Sequence, residues 1–154
     1  NLRKINNSVI LNYDSGLNDL GYWYQQLVAE SLGKRGKGIN PMLSIGPKDH
    51  HSLLQLYLDG PRDKFFTFFS SAGEKSEKFK SLIYAQCEAT KNIFKKKQIP
   101  FRHFILKKKN ENELGSVFIF FILETLLLAR LMNVNPYNQP AVEEVKKETK
   151  KFLR

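Results

Sequence analysis

The sequence has 154 residues, of which 25 are lysine or arginine and 15 are aspartate or glutamate, so its formal charge at pH 7 is +10. This length predicts one domain, and a hydrophobic fraction of 42% with 12 phenylalanines suffices for a full core, which excludes global disorder. The single cysteine, Cys87, excludes a disulfide scaffold and favours a reducing compartment, so we expect a cytoplasmic protein.

Neither a signal peptide nor a membrane span is expected. The chain begins at Asn1 without an initiator methionine or an apolar leader, which suggests that it was cut or processed from a longer chain. Residues 117–129 are almost wholly apolar, but Glu124 interrupts them and Arg130 follows them. A bilayer span needs roughly 20 predominantly apolar residues, so we expect this segment to form a helix buried within the fold.

Apolar runs and helical spacing predict alternating strands and helices. The predicted strands are residues 9–11, 42–45, 64–69 and 101–106, and the predicted helices are residues 17–32, 49–59, 74–97, 112–132 and 140–153. Asp49 is expected to cap the second helix. Strands separated by helices are typical of an α/β fold, here a doubly wound αβα sandwich whose mostly parallel sheet has four or five strands. Ligands of such folds bind beyond the carboxyl ends of the strands.

Three segments of the sequence share a resemblance to one family. They are residues 29–38, residues 46–56 with the string His51-Ser52-Leu53-Leu54-Gln55, and residues 135–146, in which Tyr137-Asn138-Gln139 leads through Ala141-Val142-Glu143 to Lys146. In this order and spacing they resemble the C-terminal part of glucose-6-phosphate isomerase, and the resemblance runs from about residue 8 onward. The third segment is the most specific of the three.

The resemblance implies an aldose–ketose isomerase that interconverts glucose 6-phosphate and fructose 6-phosphate through an enediolate, with neither a metal nor an organic cofactor. It also implies a sugar-isomerase (SIS) fold and a homodimer. Glu30 corresponds to the base that moves a proton between C2 and C1, and His51 to the ring-opening histidine that reaches in from the neighbouring subunit. Lys146 corresponds to a lysine that assists ring opening, and Gln139 to a glutamine near the phosphate.

These residues also have simpler interpretations. Glu30 falls in the last turn of its predicted helix, where the negative end of the helix dipole favours proton uptake, but an exposed carboxylate is also common there. His51 falls in the first turn of a predicted helix, which favours the neutral imidazole that a proton acceptor needs. Gln139, Glu143 and Lys146 share one helix face, where Glu143 can pair with Lys146.

Other polar candidates are expected to be structural. His50 stands where the family has glutamine and is expected at the surface or at an interface, His103 is expected to pack within a strand, and Cys87 is expected to be buried. Adjacent histidines project in different directions, so no metal site is predicted. Residues 33–38 interleave glycine with basic side chains, but their spacing differs from that of a P-loop, so they predict a turn with basic flanks.

The family's phosphate-binding loop and an arginine that steadies the enediolate belong to an N-terminal lobe. No string in this sequence resembles either of them. We therefore expect residues 1–154, including the terminal helix at 140–153, to form the C-terminal lobe alone. The missing N-terminal lobe would be a partner, and the isolated lobe would be a poor catalyst.

Two other functions stay open. A SIS-type domain can bind a phosphosugar or a protein without catalysis, although such a binder has no need of Glu30, His51 and Lys146. A nucleic-acid-binding module would use the lysine clusters at 95–97 and 107–109 and those around Lys146. The aromatic residues do not alternate with these clusters, so nucleic-acid binding is the weaker alternative.

Three structural expectations follow, two from the order of strands and helices and the third from the resemblance. Glu30 and the loop at 46–51 should lie at the same edge of the sheet, and helix 112–132 should be the most buried element. Within one chain, His51 should lie beyond hydrogen-bonding distance of Glu30 and Lys146.

Overall fold

Strands and helices alternate along the chain, as the sequence predicts. The computed structural model describes residues 4–72 and 78–153. The strands are β1 (Asn7–Asn12), β2 (Asn40–Ile45), β3 (Lys64–Ser71) and β4 (Phe101–Leu106), and the helices are α1 (Asn18–Leu32), α2 (Leu54–Asp59), α3 (Lys78–Lys96), α4 (Glu111–Met132) and α5 (Pro140–Phe152). The predicted start of the third helix, at Glu74, lies outside the described residues.

The four strands form one parallel sheet in the order β2-β1-β3-β4. In the register, Val9 of β1 lies opposite Met42 of β2 and Phe66 of β3. The chain therefore moves outward from β1 to β2 and then returns past β1 to β3. Residues of α1 and α4 pack on one face of the sheet, and residues of α2 and α3 pack on the other. This arrangement confirms the predicted doubly wound α/β fold.

Alternate side chains of the buried strand β1 belong to two different cores. Ile10 packs with the α1 and α4 side, in a cluster that includes Phe121. Val9 and Leu11 pack with the α2 and α3 side, where Phe94 is fully buried. Because strand side chains alternate between faces, an unbroken apolar run such as 9–11 serves both cores at once. Cys87 is buried in the second core, as expected, and burial raises the pKa of its thiol to about 12.

Helix α4 is apolar around most of its circumference but is buried on one side only. Phe121 and Ala129 are fully buried, whereas Ile119 is 60% exposed, Leu127 63% and Leu131 82%. The expectation that α4 is the most buried element is therefore wrong. Its inner side packs against the sheet and α1, and no described residue covers its outer side. Apolar composition predicts that a helix face needs cover, but it does not say which chain supplies the cover.

The length of α4 also corrects the estimate made from its sequence. The helix has 22 residues and a mean hydropathy of 2.0 over its most apolar window, so by length and composition alone it could cross a bilayer. Its inner residues Val117, Phe121 and Thr125 are instead buried in the fold. In this structure α4 and α1 together form the helical layer on one face of the sheet.

An ion pair accounts for Glu124, the acidic residue that interrupts this apolar helix. Arg102 of β4 binds Glu124 through both terminal nitrogens, with Nη2 2.8 Å from Oε2. Its Nε also donates to the Thr67 hydroxyl at 3.0 Å, and its guanidinium lies 5.4 Å from the Phe104 ring centre and 5.3 Å from that of Phe120. Such bidentate pairing satisfies both charges in a partly buried setting. The pair therefore joins α4 to the edge strand β4.

Asp49 does not cap the helix that was expected to follow it. Its Oδ2 accepts hydrogen bonds from the Ser44 hydroxyl at 2.9 Å and from the Ile45 amide at 2.7 Å. Asp49 itself lies in a short 3-10 turn at Lys48–His50, and α2 begins only at Leu54. The carboxylate thus satisfies donors at the end of β2, because these lie nearer to it than the free amides at the start of α2.

His103 is packed within the sheet, as expected, and its ring nitrogen Nε2 lies 2.8 Å from the Ser70 hydroxyl. Burial lowers the pKa of His103 from 6.5 to about 4. The folded chain therefore keeps this imidazole neutral at pH values where the unfolded chain protonates it.

The free energy of unfolding should accordingly be level above pH 6.5 and should fall as the pH decreases from 6.5 towards 4. His50, whose pKa burial also lowers, should contribute to the same slope. Urea unfolding at several pH values measures the slope, and His103→Gln should reduce it. A comparison at about pH 8, where free imidazole is neutral, separates titration from lost packing. An unchanged slope in the variant would contradict the prediction.

Candidate active site

Glu30 lies at the amino edge of the sheet, where the strands begin. Helix α1 starts beyond the carboxyl end of β1 and runs back across the sheet, so its last turn reaches the opposite edge. There Oε1 of Glu30 lies 3.2 Å from the Gln26 amide nitrogen, and Oε2 lies 2.6 Å from the Gln139 amide nitrogen. Two neutral donors thus hold the two oxygens of one carboxylate.

Gln139 reaches Glu30 because α4 ends at the same edge as α1. Asn133 ends α4 in the left-handed conformation, with φ 53° and ψ 52°, and its amide donates to carbonyl groups of the last turn. Val134 then packs into the core, and the chain continues to Gln139, which directly precedes the Pro140 that opens α5. The contact between Gln139 and Glu30 spans 109 residues of sequence.

Two lysines fasten this segment to the end of α1. The Lys34 ammonium donates to the carbonyl of Ser31 at 3.0 Å and to that of Asn135 at 2.5 Å. The Lys37 ammonium donates to the carbonyl of Met132 at 2.7 Å. Because these are charge-assisted bonds to carbonyls at or just beyond the ends of α1 and α4, they position the segment after α4. We call the Lys34 and Lys37 contacts the lysine clamp.

The turn that carries the clamp is the turn with basic flanks that residues 33–38 predict. Lys34 and Lys37 form a backbone bridge, and Arg35 and Gly36 between them have φ values of 55° and 69°. Glycine reaches that conformation at no steric cost, which explains its place there. Partial desolvation lowers the pKa of Lys34. The clamping role itself cannot be read from the sequence, because two of its three acceptors are backbone carbonyls about 100 residues away.

The end of α1, this turn and residues 134–142 enclose an open cleft of about 380 Å³. Glu30 and Gln139 both line it, and the side chains of Ala141 and Val142 contribute apolar wall. The cleft combines an apolar lining with one carboxylate fixed by two amides, which suits a small polar ligand that exchanges a proton.

Lys146 lies outside the lining of this cleft. Its ammonium pairs with Glu143 at 2.7 Å on the exposed helix α5, as the spacing predicts. Exposed pairs of this kind contribute little to stability. The structure therefore brings Glu30 and Gln139 together and leaves Lys146 on the outer surface of the next helix.

His51 lies at the carboxyl edge of the sheet, so the expectation that it shares an edge with Glu30 is wrong. The reason is the direction of α1, which carries Glu30 away from the edge that holds the loops after the strands. A strand of six residues spans about 20 Å. His51 is exposed in the turn before α2, not in the first turn of a helix, so the dipole argument for its neutral form does not apply.

His50 is half-buried, and its ring is hydrogen-bonded within the fold. Its Nε2 lies 2.6 Å from the Tyr13 hydroxyl and 3.4 Å from the Thr90 hydroxyl. Burial lowers the pKa of His50 and raises that of Tyr13. The sequence predicts this contact only indirectly, through the parallel sheet, because parallel strands bring the residues that follow β1 and β2 to the same edge.

The carboxyl edge also holds Asp14, whose carboxylate caps a short turn through the Gly16 amide and lies 2.9 Å from the Lys109 ammonium. Burial alone would raise the pKa of Asp14, but hydrogen bonds from Ser71 and Lys109 hold it below its ordinary value. Among residues 4–72 and 78–153, no three or more His, Cys, Asp or Glu side chains are grouped to hold a metal ion.

Removal of the lysine clamp should loosen the segment that carries Gln139. In Lys34→Met, amide hydrogen exchange at residues 133–139 should become faster, because two carbonyls lose a charged donor. Arg35→Met is the matched control, since it removes the same charge from the adjacent residue of the turn. Equal exchange in the two variants would show that Lys34 does not position this segment.

Comparison with known proteins places this cleft in context. No family model matches the chain. Glucose-6-phosphate isomerase of Methanocaldococcus jannaschii is 39% identical over 155 aligned positions, which span 91% of this chain and 39% of that protein. A probable glucose-6-phosphate isomerase of Methanococcus maripaludis is 35% identical, with 91% of this chain and 35% of that protein covered. The chain thus spans about two fifths of the length of the curated relatives it matches.

Solved structures show the same fold. A hypothetical protein from Thermus thermophilus matches 98% of this chain and 42% of its own, with a TM-score of 0.85 and 27% identity. A glucose-6-phosphate isomerase from Chlamydia trachomatis matches 97% of this chain and 35% of its own, with a TM-score of 0.80 and 16% identity. The curated relatives confirm the resemblance of this chain to the glucose-6-phosphate isomerase family over about nine tenths of its length.

Proposed function

We propose that this chain is the C-terminal lobe of a glucose-6-phosphate isomerase, which interconverts glucose 6-phosphate and fructose 6-phosphate. The observation that supports this most directly is the Glu30 carboxylate, held in a cleft by Gln26 and Gln139, in a chain whose relatives carry that name. A carboxylate with fixed orientation and access to a cleft is the group that a proton transfer between neighbouring carbons requires.

In the proposed reaction, Glu30 takes the proton from C2 of the open-chain aldose and returns it to C1 of the enediolate. A single base can serve both carbons because they are adjacent in the substrate. Before substrate enters, Gln26 and Gln139 keep the carboxylate aimed into the cleft. Gln139 would reach the phosphate as well, as the family resemblance implies, by exchanging its contact with Glu30 when substrate enters.

Ring opening would use His51 and Lys146. Lys146 lies on the helix that begins at the cleft, and Glu143 holds its ammonium. His51 lies at the far edge of the sheet, so it would serve the site of a second subunit rather than the site of its own chain. This division supports a homodimer in which each lobe supplies Glu30 to one site and His51 to the other.

The phosphate-binding loop and the enediolate arginine would come from an N-terminal lobe. The relatives are more than twice as long as the region that this chain matches, so they have room for such a lobe. We therefore propose low activity for this chain by itself and full activity only in the complete protein. The cytoplasmic location expected from the single cysteine is part of the same proposal. A non-catalytic sugar-phosphate-binding lobe is the alternative.

Nucleic-acid binding is less well supported. Lysines 95–97 lie at or just beyond the C-terminal end of α3, at the amino edge of the sheet, whereas lysines 107–109 follow β4 at the carboxyl edge. Nucleic-acid-binding proteins concentrate such charges along one face or groove. A dispersed positive charge also attracts a dianionic sugar phosphate.

Glu30→Gln should abolish isomerisation in the complete enzyme while leaving binding of fructose 6-phosphate nearly unchanged. The amide keeps the size of the side chain but cannot accept the C2 proton, and loss of a general base costs about 10²–10⁴-fold in rate. Exchange of the C2 proton with solvent deuterium measures the step directly. Glu144→Gln, on an exposed turn of α5, is the control. An active Glu30→Gln enzyme would place the chemistry elsewhere.

His51→Ala should slow turnover of the closed-ring sugar far more than that of an open-chain analogue, because ring opening is the step proposed for this residue. Mixing His51→Ala subunits with Glu30→Gln subunits should restore part of the activity, since one site of a mixed dimer then keeps both residues. Failure of that mixture to recover activity would argue against a histidine shared between subunits.

A further inference from the structure

A buried series of hydrogen bonds, which the proposed reaction does not use, ends in the turn between β2 and α2. His50 lies in this turn, and its Nε2 is 2.6 Å from the Tyr13 hydroxyl. The Tyr13 hydroxyl is 3.0 Å from the Thr90 hydroxyl, which lies 2.8 Å from the Gln86 carbonyl on α3. Tyr13 and Thr90 are each 5% exposed. We call His50, Tyr13 and Thr90 the His50 anchor.

The direction of each bond in the His50 anchor follows from its last acceptor. The Gln86 carbonyl can only accept, so the Thr90 hydroxyl donates its proton there. The Tyr13 hydroxyl therefore donates to Thr90 and turns a lone pair toward His50. An N–H on Nε2 of His50 completes the series, so the bonding assigns the proton of the neutral ring to this nitrogen.

Packing holds the Tyr13 ring in place as well. The ring is stacked on Phe68, with 5.9 Å between the ring centres and 2° between the ring planes. It also lies so close to Gly46 that a Cβ at that position would come within 2.8 Å of a ring carbon. His50 is thus hydrogen-bonded to a hydroxyl whose own position the core fixes.

His51, the residue proposed to open the sugar ring, directly follows His50 in this turn. The residue before them is held as well, because the Asp49 carboxylate accepts from the Ile45 amide at 2.7 Å and the Asp49 carbonyl accepts from the Leu53 amide at 2.8 Å. The backbone is therefore fastened on both sides of His51, whose side chain is exposed.

We propose that His50 is a positioning residue for His51: the His50 anchor fixes the backbone from which the His51 imidazole is presented to the site of a second subunit. This inference rests on the proposed function. A turn that needed only to pack could fill the same space with apolar side chains, which would avoid the cost of desolvating two hydroxyls and an imidazole. A buried polar network instead selects one arrangement of the groups that it joins, and a ring-opening residue requires such a fixed arrangement.

Tyr13→Phe tests the anchor, because it removes the hydroxyl that His50 binds and keeps the ring. In the complete enzyme it should lower the ratio of closed-ring to open-chain turnover about tenfold, since ring opening is the step proposed for His51. Tyr24→Phe is the matched control. Tyr24 is 3% exposed, and its hydroxyl also lies 2.6 Å from its partner, Ser8. Both variants lose one buried hydrogen bond, so a loss of stability alone would affect them alike.

Two replacements of His50 test the donor itself. His50→Leu removes the N–H and should lower the same ratio about tenfold, whereas His50→Gln can again offer an N–H to Tyr13 and should retain most of the ratio. Circular dichroism should show that both variants are folded. Equal impairment by the two replacements would overturn the inference, and so would a ratio in Tyr13→Phe that matches that of Tyr24→Phe.

Hydrogen exchange in the 154-residue chain separates this inference from the proposed function. The amides of residues 50–53 donate to carbonyls within the turn, so they should exchange about tenfold faster in Tyr13→Phe than in Tyr24→Phe. Equal exchange in the two variants would overturn the inference, whatever the enzyme does. Faster exchange, together with an unaltered ratio of closed-ring to open-chain turnover in His51→Ala, would refute the ring-opening role and leave the anchoring of His51 standing.

Discussion

Parallel strand pairing is the constraint from which the candidate site follows. Every strand of this sheet points the same way, so each connecting helix must run back to the edge where the next strand begins. Helices α1 and α4 lie on the same face and consequently end at the same edge. Glu30, at the end of one, therefore meets Gln139, just beyond the end of the other.

The site at that edge is held by polar contacts to backbone and amide groups. The lysine clamp satisfies carbonyls at the ends of α1 and α4, which helices leave without intrahelical partners. The Gln26 and Gln139 amides then orient the Glu30 carboxylate, with one amide donor on each of its oxygens.

The two sides of helix α4 are both apolar but have different surroundings. Its inner side packs against Phe69 and Phe104 of the sheet, and the Arg102–Glu124 pair fixes its position over β4. Its outer side is made of large apolar side chains that are exposed. A helix that is apolar all round needs cover on both sides, and the described residues provide cover on one. The described residues therefore cover the inner side of α4 and leave its outer side exposed.

The sequence by itself determined the order of strands and helices and the doubly wound class, because periodicity depends on neighbouring residues, and its resemblance to a known family singled out Glu30 and Gln139 as candidates. Tertiary structure alone decided which edge each residue occupies. It moved His51 away from Glu30, tied Asp49 to β2 and placed His50 against Tyr13. It also left half of α4 exposed. The physical reason is that helix direction and coverage depend on contacts between segments up to 109 residues apart, which no local pattern records.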